Sequence, residues 1–431
     1  MNKLLVISYF ANIDALAPSH HIDDRLAYLN GKAEVILLSS PCGKKNRAVR
    51  HTRVPSPAPS GYRYELRYFL RRSCATKFWR KFWEMLLFLP VLPLYLLEKI
   101  MLRLDSTWSW FLTASIAAWV LCVRHRPKAI YSTGGPVSAH LAAMFASRLT
   151  GIPYFAEFQD PLVHQYAAPG KLERLFMKDV ERLIFKTADR AVFLTKKAAE
   201  NAAARHGGTK AICVYAGGLP FPKTAEGHNR GLKLRIAHFG SLGGSRNLDC
   251  FLDALEELIK EDPGIKDKVV LELYGHSDRN VMRRIERFGY EGIVKAQGKI
   301  KRSESLGLMT SADVLLLIQN ADPVSFETIP SKTYEYLHAT RPILALVYRN
   351  PELKAMLEEY GHVVREADDT QGVKEGLKAI ISLWEKGALE FKRKDSAYTV
   401  EAAVDELLAL FFSTGTPKKE SGQALGRSVP V

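Results

Sequence analysis

The sequence has few cysteines, and none is placed as a metal ligand or a disulfide partner would be. Five cysteines are scattered over 431 residues, with no Cys-x-x-Cys pair and no histidine at ligand spacing. This pattern argues against a zinc site and a disulfide framework and favours a reducing compartment. The cysteines are Cys42, Cys74, Cys122, Cys213 and Cys250.

The apolar run at residues 85–97 lacks the length needed to cross a bilayer. It is interrupted by Pro90 and Pro93, whereas a spanning helix needs about 20 apolar residues. At the N-terminus, residues 4–10 predict a first buried strand. The alternative is a cleaved signal peptide, which residues 15–17 loosely suit, but a single lysine precedes the run.

Acidic residues are scarce in one segment. The chain holds 61 Lys and Arg against 46 Asp and Glu, and 20 against 8 of these lie in residues 1–130. Within 44–81, twelve basic residues accompany one acid, Glu65. A solvated face normally mixes both signs, so the segment predicts a surface that attracts a polyanion, either nucleic acid or anionic lipid.

Residues 78–119 hold five of the six tryptophans, around the short apolar run at 85–97. Tryptophan and basic residues that flank such a run are typical of an element lying in a membrane interface. The alternative is an ordinary core hairpin. A nucleic-acid partner is not expected, because its aromatics would be interleaved on a strand face or accompany a recognition helix.

Composition and periodicity predict two α/β domains. Hydrophobic residues make up 47% and charged residues 25%, which is the balance of a globular protein, and the length suits two domains. Short apolar runs alternate with helical patterns in both halves, which predicts parallel sheets covered on both faces and a cleft between two doubly wound units. The predicted strands are 4–9, 33–38, 129–131, 154–158, 191–194, 235–239, 269–274, 293–296, 314–318 and 343–347.

Residues 217–231 are rich in Gly, Pro and charge and predict a linker. We therefore expect an N-terminal domain at 1–222, with the basic, Trp-rich element at about 44–119, and a C-terminal domain at 223–395. A helix at 396–412 is expected to return to the first domain. The last residues, 413–431, predict a disordered tail.

The richest motif lies at 326–345. Pro330 and Ser331 predict a helix start with Ser331 as N-cap, and Glu327 and Glu335 lie before and within that helix. A helix N-terminus that follows a loop can bind a diphosphate, and both carboxylates could face one ligand as hydrogen-bond acceptors.

This motif, Glu-x7-Glu followed by Tyr-Leu-x-Ala-x-x-Pro-Ile-x-Ala, resembles the donor-binding motif of retaining glycosyltransferase family 4, in the branch that builds bacterial surface polysaccharides. Three further segments are similar to that family: the strand and glycine loop at 235–248, the strand and glycine at 271–275, and the turn and strand at 298–314. The resemblance implies the GT-B fold, with two Rossmann-like domains that face a central cleft.

The resemblance implies a role for several residues. Glu327 contacts sugar hydroxyls, Glu335 contacts the ribose, and Arg246 neutralises the departing diphosphate. Many members have a basic residue where this chain has Ser241. Either Arg246 acts with Lys332 and the helix dipole, or another cation takes the place of the missing residue. The remaining donor-side residues expected are Gly240, Gly243, Gly244, Gly275, Ile300, Thr328, Ile329 and Ser331.

The N-terminal domain is expected to hold the acceptor. Gly134 and Gly135 follow a strand and permit close backbone approach. Asp160 either orients an acceptor hydroxyl or caps the next turn. His20 lies in the first strand–helix loop, where the family usually has glycines, so its role stays open.

No metal and no cofactor are expected, because no Asp-x-Asp ends a strand in the cleft and Arg246 with the helix N-terminus takes over the charge. The expected partners are a nucleoside-diphosphate sugar, a lipid-linked acceptor and an anionic membrane at its cytoplasmic face. The alternatives are a sugar-nucleotide 2-epimerase of the same fold, a nucleic-acid-binding protein, and a degenerate transferase that serves as a scaffold.

Overall fold

The computed structural model describes residues 1–14, 16–102, 104–164, 171–221, 231–389 and 396–413. Most of the predicted linker, 222–230, and the predicted tail from residue 414 onward lie outside the described residues. The described chain forms two parallel sheets with helices on both faces. This confirms the predicted pair of doubly wound units.

The N-terminal sheet has seven strands in the order β3-β2-β1-β4-β5-β6-β7. Its strands are β1 (Lys3–Ile7), β2 (Glu34–Ser39), β3 (Arg50–Arg53), β4 (Ala129–Gly134), β5 (Tyr154–Phe158), β6 (Arg190–Phe193) and β7 (Ala211–Cys213). Its helices are α1 (Ala17–Lys32), α2 (Pro59–Ser73), α3 (Lys77–Phe88), α4 (Leu92–Met101), α5 (Trp110–His125), α6 (Val137–Thr150), α7 (Lys171–Thr187) and α8 (Lys196–His206), with a 3-10 turn at Leu89–Val91.

The C-terminal sheet has six strands in the order β10-β9-β8-β11-β12-β13. Its strands are β8 (Leu234–Phe239), β9 (Val269–Tyr274), β10 (Val294–Gly298), β11 (Val314–Ile318), β12 (Ile343–Val347) and β13 (Val363–Glu366). The helices are α9 (Asp249–Glu261), α10 (Ile265–Lys268), α11 (Arg279–Phe288), α12 (Arg302–Ser311), α13 (Ser331–His338), α14 (Pro351–Glu359), α15 (Thr370–Glu385) and α16 (Val400–Phe412), with a 3-10 helix at Pro323–Glu327.

Three edge strands, β3, β7 and β13, were not predicted. They have only three or four residues each, and β3 reads Arg-His-Thr-Arg. Strand β3 is polar, and the apolar residues of β7 and β13 form runs too short to mark an inner strand of a parallel sheet. Strand β3 pairs in parallel with β2, Ile36 opposite Arg50 and Ser39 opposite Arg53. Part of the basic segment 44–81 therefore belongs to the sheet.

The Trp-rich segment divides into a buried part and an exposed part. Trp110 is fully buried, donates its indole N–H to the carbonyl of Val54 and packs edge-on against Tyr9, so α5 belongs to the core. Helices α3 and α4 instead expose apolar side chains, with Trp79 50% and Leu94 60% accessible. Among the described residues, no helix has the length and apolarity that a bilayer crossing requires.

The last helix, α16, packs on the N-terminal domain. Phe411 lies against Tyr131 and Phe155, and Leu407 belongs to the same buried cluster. Before the helix begins, Thr399 bridges to Gly218. The chain thus crosses between the domains twice, and the apolar face of α16 packs on the first sheet.

A buried charge cluster ties α1 to the sheet of the N-terminal domain. Arg25 on α1 and Glu157 on β5 are both fully buried and form an ion pair. Arg25 Nη1 also donates to Tyr131 Oη at 2.8 Å, and Glu157 Oε1 accepts from Thr133 Oγ1 at 2.6 Å. The carboxylate also accepts from His21 Nε2 at 2.8 Å. Burial and then Arg25 keep the pKa of His21 well below its ordinary value.

We predict that Glu157→Gln lowers the free energy of unfolding by about 3–5 kcal/mol, because it leaves the Arg25 guanidinium buried without a counter-charge. Urea unfolding of the variant and the wild type measures the difference. Lys32→Met, which removes an exposed ion pair of the same helix with Asp405, is the control and should cost about 1 kcal/mol or less. Equal effects of the two variants would contradict the prediction.

Candidate active site

A cavity of about 1000 Å³ lies between the two domains. Its walls are the loop after β1, the first turns of α1, the loops after β8, β9 and β10, and the first turns of α12 and α13, while Gly217, Gly218 and Val400 line it from the crossing segments. The carboxyl ends of parallel strands in both sheets therefore face one space, which is where doubly wound folds bind ligands.

Two glycines let the loops after β8 and β9 approach each other. Gly275 has a φ of +150°, and a Cβ there would overlap the carbonyl oxygen of Gly240. The Gly240 amide donates to Tyr274 O at 2.9 Å, and the Leu242 amide donates to His276 O at 2.8 Å. Bare backbone of both loops consequently lines the cavity at Gly240 and Gly275.

The next two glycines of the loop lie against Asp278, the N-cap of α11. The Gly244 amide donates to Asp278 Oδ2 at 3.1 Å, and a Cβ on Gly243 would lie 2.7 Å from the same oxygen. Gly243 and Gly244 thus hold the loop in place behind the cavity wall.

Helix α13 points its first turn into the cavity, where Ser331, Lys332 and Glu335 line the wall. The expected N-cap is wrong by one residue: Pro330 occupies the cap and Ser331 is the first helical residue, without a side-chain cap. Pro330 fixes an extended backbone immediately before the helix, so the turn can begin without a capping hydroxyl.

Glu335 is held between two cations. Its carboxylate accepts from Lys332 Nζ at 2.5 Å and from Arg302 Nη2 at 3.1 Å. Burial disfavours the ionised form of Glu335, but Lys332 and Arg302 outweigh it and keep the pKa of the carboxyl below its ordinary value. Glu335 is therefore an ionised acceptor at the cavity wall.

Arg302 also joins the two domains across the cavity. Its Nη1 and Nη2 donate to the two carboxylate oxygens of Asp24 on α1, at 2.8 and 2.7 Å. Arg302 and Asp24 were not predicted, since a pair separated by 278 residues leaves no signal in local spacing. The resemblance covered only the turn and strand at 298–314, which include Arg302.

Further cations line the same side of the cavity. Lys299 and Lys301 lie beside Ile300 in the loop after β10, close to the wall that includes Ser241. The cavity thus contains lysine and arginine side chains although position 241 carries a serine.

Arg246 is not among the residues that line this cavity. It is half-buried, and its Nε has no hydrogen-bond partner among the described residues. Burial lowers the pKa of its guanidinium, and Asp322 opposes that shift. Arg246 and Lys332 both act on buried His238, whose pKa is lowered to about 4 by burial and then by these charges.

Glu327 is also placed outside the cavity, so the structure does not bring Glu327 and Glu335 to one wall. Glu327 is 1% exposed at the end of the 3-10 helix, and it contacts α8 of the other domain. Its Oε1 accepts from Asn201 Nδ2 at 2.8 Å, and its carbonyl accepts from Thr195 Oγ1 at 2.7 Å. These partners were not foreseen.

The segment between Glu327 and α13 is fixed by buried amides. The carbonyl of Thr328 accepts from Gln319 Nε2 at 2.9 Å and from Asn350 Nδ2 at 3.0 Å. Ile329 packs against the core of the C-terminal domain. Both residues therefore position the start of α13 and are not among the residues that line the cavity.

Of the expected acceptor-side residues, His20 lines the cavity. Burial and then Arg302 lower the pKa of its ring. Gly134, with a φ of +133°, ends β4, Gly135 follows it, and the exposed Asp160 follows β5. All three lie at the carboxyl edge of the N-terminal sheet but outside the residues that line the cavity.

Within the described part of the chain, no group of three His, Cys, Asp or Glu side chains could hold a metal ion. The expectation that the reaction needs no metal and no cofactor stays a prediction.

Comparisons with known proteins agree on the fold. Residues 43–217 match the family described as the glycosyl transferase 4-like domain. No protein of curated function matches the sequence at a significant level.

Several solved structures share the architecture. HepE from Anabaena, in complex with UDP and glucose, has a TM-score of 0.61 at 13% identity over 96% of this chain and 100% of its own. The lipopolysaccharide outer core galactosyltransferase WaaB has a TM-score of 0.58 at 12% identity over 95% and 99%. Sucrose-phosphate synthase from Thermosynechococcus elongatus has a TM-score of 0.59 at 12% identity over 95% and 98%.

At these identities the structural likeness shows the fold, and the family match at 43–217 covers less than half of the chain. Two sheets face one cleft, and glycine loops lie at their carboxyl ends. The chain thus has the two-domain GT-B fold, and its residues 43–217 are similar to the glycosyl transferase 4-like domain.

Proposed function

We propose that the protein is a retaining glycosyltransferase that moves a sugar from a nucleoside-diphosphate sugar to a lipid-linked acceptor at the cytoplasmic face of a membrane. The observation that carries the proposal is the cavity between the domains, where an ionised Glu335 lies beside Lys332 at a helix N-terminus and opposite two glycine loops.

The donor fits this cavity by its chemistry. The Glu335 carboxylate accepts hydrogen bonds from ribose hydroxyls, and the first turn of α13 with Lys332 offers N–H groups and positive charge to a diphosphate. The loop at Lys299–Lys301 lies beside the space for the base. HepE, with the same fold, is described with bound UDP and glucose, which supports a uridine or related nucleotide as donor.

The leaving group needs positive charge behind the glycine loop. Arg246 is half-buried next to His238 and Lys332, and its orphaned Nε can turn toward diphosphate oxygens. A guanidinium in a partly dry site stabilises developing negative charge more strongly than one in water.

The reaction is balanced without a covalent intermediate. The bond between the anomeric carbon and the diphosphate oxygen breaks, an acceptor hydroxyl attacks from the same face, and its proton passes to the departing diphosphate. Glu327 does not line the cavity, so its proposed effect on sugar orientation is that of a positioning residue, which the hydrogen bond from Asn201 holds before the start of α13.

The acceptor is proposed to be lipid-linked because of the surface formed by α3 and α4. Its exposed apolar side chains are large and contiguous in sequence, and lysines and arginines precede them. The two helices are fixed on α2 by Glu84, which accepts from Arg67 Nε at 2.6 Å, and by Glu98, which accepts from the Ser60 amide at 2.8 Å. A rigid apolar face of this size, bordered by cations, suits an anionic bilayer surface.

Glu335→Gln should weaken donor binding, because ribose hydroxyls lose a charged acceptor worth about 1.5–3 kcal/mol. The measurement is the thermal shift produced by UDP and other nucleoside diphosphates, since a ligand that binds the native state stabilises it by mass action. Glu358→Gln, an exposed change on α14, is the control. A shift of unchanged size in Glu335→Gln would refute the assignment of this cavity.

Arg246→Gln should lower kcat on the order of a hundredfold or more and change KM for the donor little, because the lost interaction is strongest in the transition state. Steady-state transfer or donor hydrolysis measures both constants. Arg279→Gln removes an exposed arginine at the start of α11 and should leave both unchanged. Wild-type turnover in Arg246→Gln would show that another cation acts on the diphosphate.

Membrane binding should depend on both charge and apolar contact. Lys77→Glu with Lys81→Glu should weaken binding to vesicles rich in phosphatidylglycerol by about 1 kcal/mol for each positive charge removed. Trp79→Gln with Trp83→Gln should weaken the apolar component of binding, which is the binding that remains at high salt. Leu383→Gln, an exposed apolar change on α15, should have no effect. Sedimentation with vesicles measures all of these, and equal binding by every variant would contradict the proposed surface.

A further inference from the structure

A second cavity, of about 500 Å³, lies in the N-terminal domain away from the cleft. It lies at the carboxyl ends of β2 and of the edge strand β3, and the last turn of α2 closes it. We call it the basic pocket. Its lining residues are Pro41, Lys45, His51, Arg53, Phe69, Arg72 and Ser73.

The basic pocket carries positive charge that no described carboxylate neutralises. Arg53 Nη1 donates to the carbonyl of Gly43 at 3.0 Å, and Arg72 Nη2 donates to the carbonyl of Pro41 at 2.8 Å. Neither guanidinium, nor the ammonium of Lys45, forms an ion pair with a carboxylate of the described residues. Partial burial and then the charge of Arg53 lower the pKa of the Arg72 guanidinium, as expected for two cations that share one space.

His51 forms a neutral wall between these cations. Its Nδ1 accepts from the Asn46 amide at 2.8 Å, so the ring proton lies on Nε2, which donates to Ser39 Oγ at 2.8 Å. Burial, with Arg53 and Lys45, lowers the pKa of His51 to about 4. The ring therefore fixes the loop and does not offer a further proton to a ligand.

The loop that carries Lys45 also contacts the cleft. The Lys44 amide donates to Asn12 O at 3.0 Å, and Lys44 Nζ lies 3.0 Å from a carboxylate oxygen of Asp14, which lines the cleft cavity. A Cβ on Gly43 would overlap the carbonyl oxygen of Ala11, so a glycine is needed for the two loops to pack this closely. One loop pair thus separates the basic pocket from the cleft.

On its other side the basic pocket adjoins the exposed apolar helices. Arg72 and Ser73 are among the last residues of α2, and α3 begins at Lys77. The same α2 carries Arg63 and Arg67, which hold Glu84 of α3. The basic pocket therefore lies between the apolar surface of α3 and α4 on one side and the loops at residues 11–14 and 43–45, which border the cleft, on the other.

We propose that the basic pocket binds the phosphate or diphosphate group that joins the acceptor to its lipid. Two guanidinium groups and an ammonium suit the oxygens of such a group, because guanidinium pairs bidentately with phosphate, and the volume is in the range of small-ligand sites. The half-exposed ring of Phe69 offers an apolar wall to the first lipid carbons. The inference rests on the proposed lipid-linked acceptor and adds the group by which the lipid is recognised.

The test compares vesicles that differ only in the phosphate they present. Phosphatidylcholine vesicles with a few per cent of a polyprenyl diphosphate are matched to vesicles with phosphatidylglycerol of equal total charge. The wild type should bind the diphosphate vesicles roughly tenfold more tightly or better. Arg53→Gln with Arg72→Gln should abolish this preference, whereas Arg47→Gln with Arg71→Gln removes the same charge from exposed positions outside the pocket and should keep it.

Each other outcome overturns the inference. A preference that survives in Arg53→Gln with Arg72→Gln places the diphosphate elsewhere. Equal binding of both kinds of vesicle by the wild type would show that the protein binds anionic headgroups in general and does not select the diphosphate. If 1 mM inorganic pyrophosphate displaces the wild type from diphosphate vesicles and also binds it equally tightly without lipid, the pocket is a free-phosphate site. Unchanged thermal midpoints of the variants show that folding is intact.

Failure of the inference and failure of the proposed function are separable. If UDP or another nucleoside diphosphate raises the thermal midpoint of the wild type but the lipid preference is absent, only the acceptor site is wrong. If no nucleoside diphosphate stabilises the protein, the proposed donor chemistry is wrong.

Discussion

The carboxylate of Glu157 lies without solvent contact in the N-terminal domain, paired with Arg25, and the position of α1 depends on it. A buried charge of this kind is tolerated only with a counter-charge and hydrogen bonds, and Arg25, His21 and Thr133 supply them. Two of these partners lie on α1. The need of this one buried carboxylate for a counter-charge and hydrogen bonds therefore fixes α1, whose first turns form a wall of the cleft.

The orientation of α1 then determines how the two domains meet. Asp24, one residue before Arg25, accepts hydrogen bonds from Nη1 and Nη2 of Arg302. The same guanidinium also donates to Glu335. On the opposite side, the amides at the start of α8 donate to Glu352 of the C-terminal domain. An ion pair on one side and hydrogen bonds to a carboxylate on the other thus span the domains. A ligand that binds Glu335 must compete with Arg302 for its carboxylate.

The N-terminal domain combines two surfaces of different chemistry. Its core side, with α5 and α6, is closed by small and aromatic side chains, while α2 to α4 form an outer layer that exposes apolar groups and unpaired cations. Glu84 pairs with Arg63 and Arg67, and Glu98 accepts from Ser60 and Trp108, so neither glutamate reaches the cations of the basic pocket. The charge imbalance of segment 44–81 is therefore retained at the edge of the sheet, next to the basic pocket.

Much of the fold could be predicted from the sequence, because inner strands of parallel sheets must be apolar on both faces. Strands β5, β9, β11 and β12 begin and end where the apolar runs do, and the alternation with helices allows few arrangements other than doubly wound sheets. The glycine loops and the segment before α13 were also recognisable, since their backbone needs are local. The short edge strands were not, because a polar strand such as β3 is stabilised by pairing with β2 and leaves no periodic pattern.

The arrangement of side chains in the candidate active site could not be predicted from local sequence patterns. The sequence placed Glu327, Glu335, Arg246 and Lys332 near one another, but only the tertiary structure separated them, with Glu335 and Lys332 in the cavity and Glu327 turned to Asn201. The contact between Arg302 and Asp24 was not predicted, because the two residues are distant along the chain. The basic pocket was not predicted, because the sequence does not show which cations lie next to one another. A side chain's type and spacing determine which bonds it can form, whereas the packing of whole domains decides which partner is within reach.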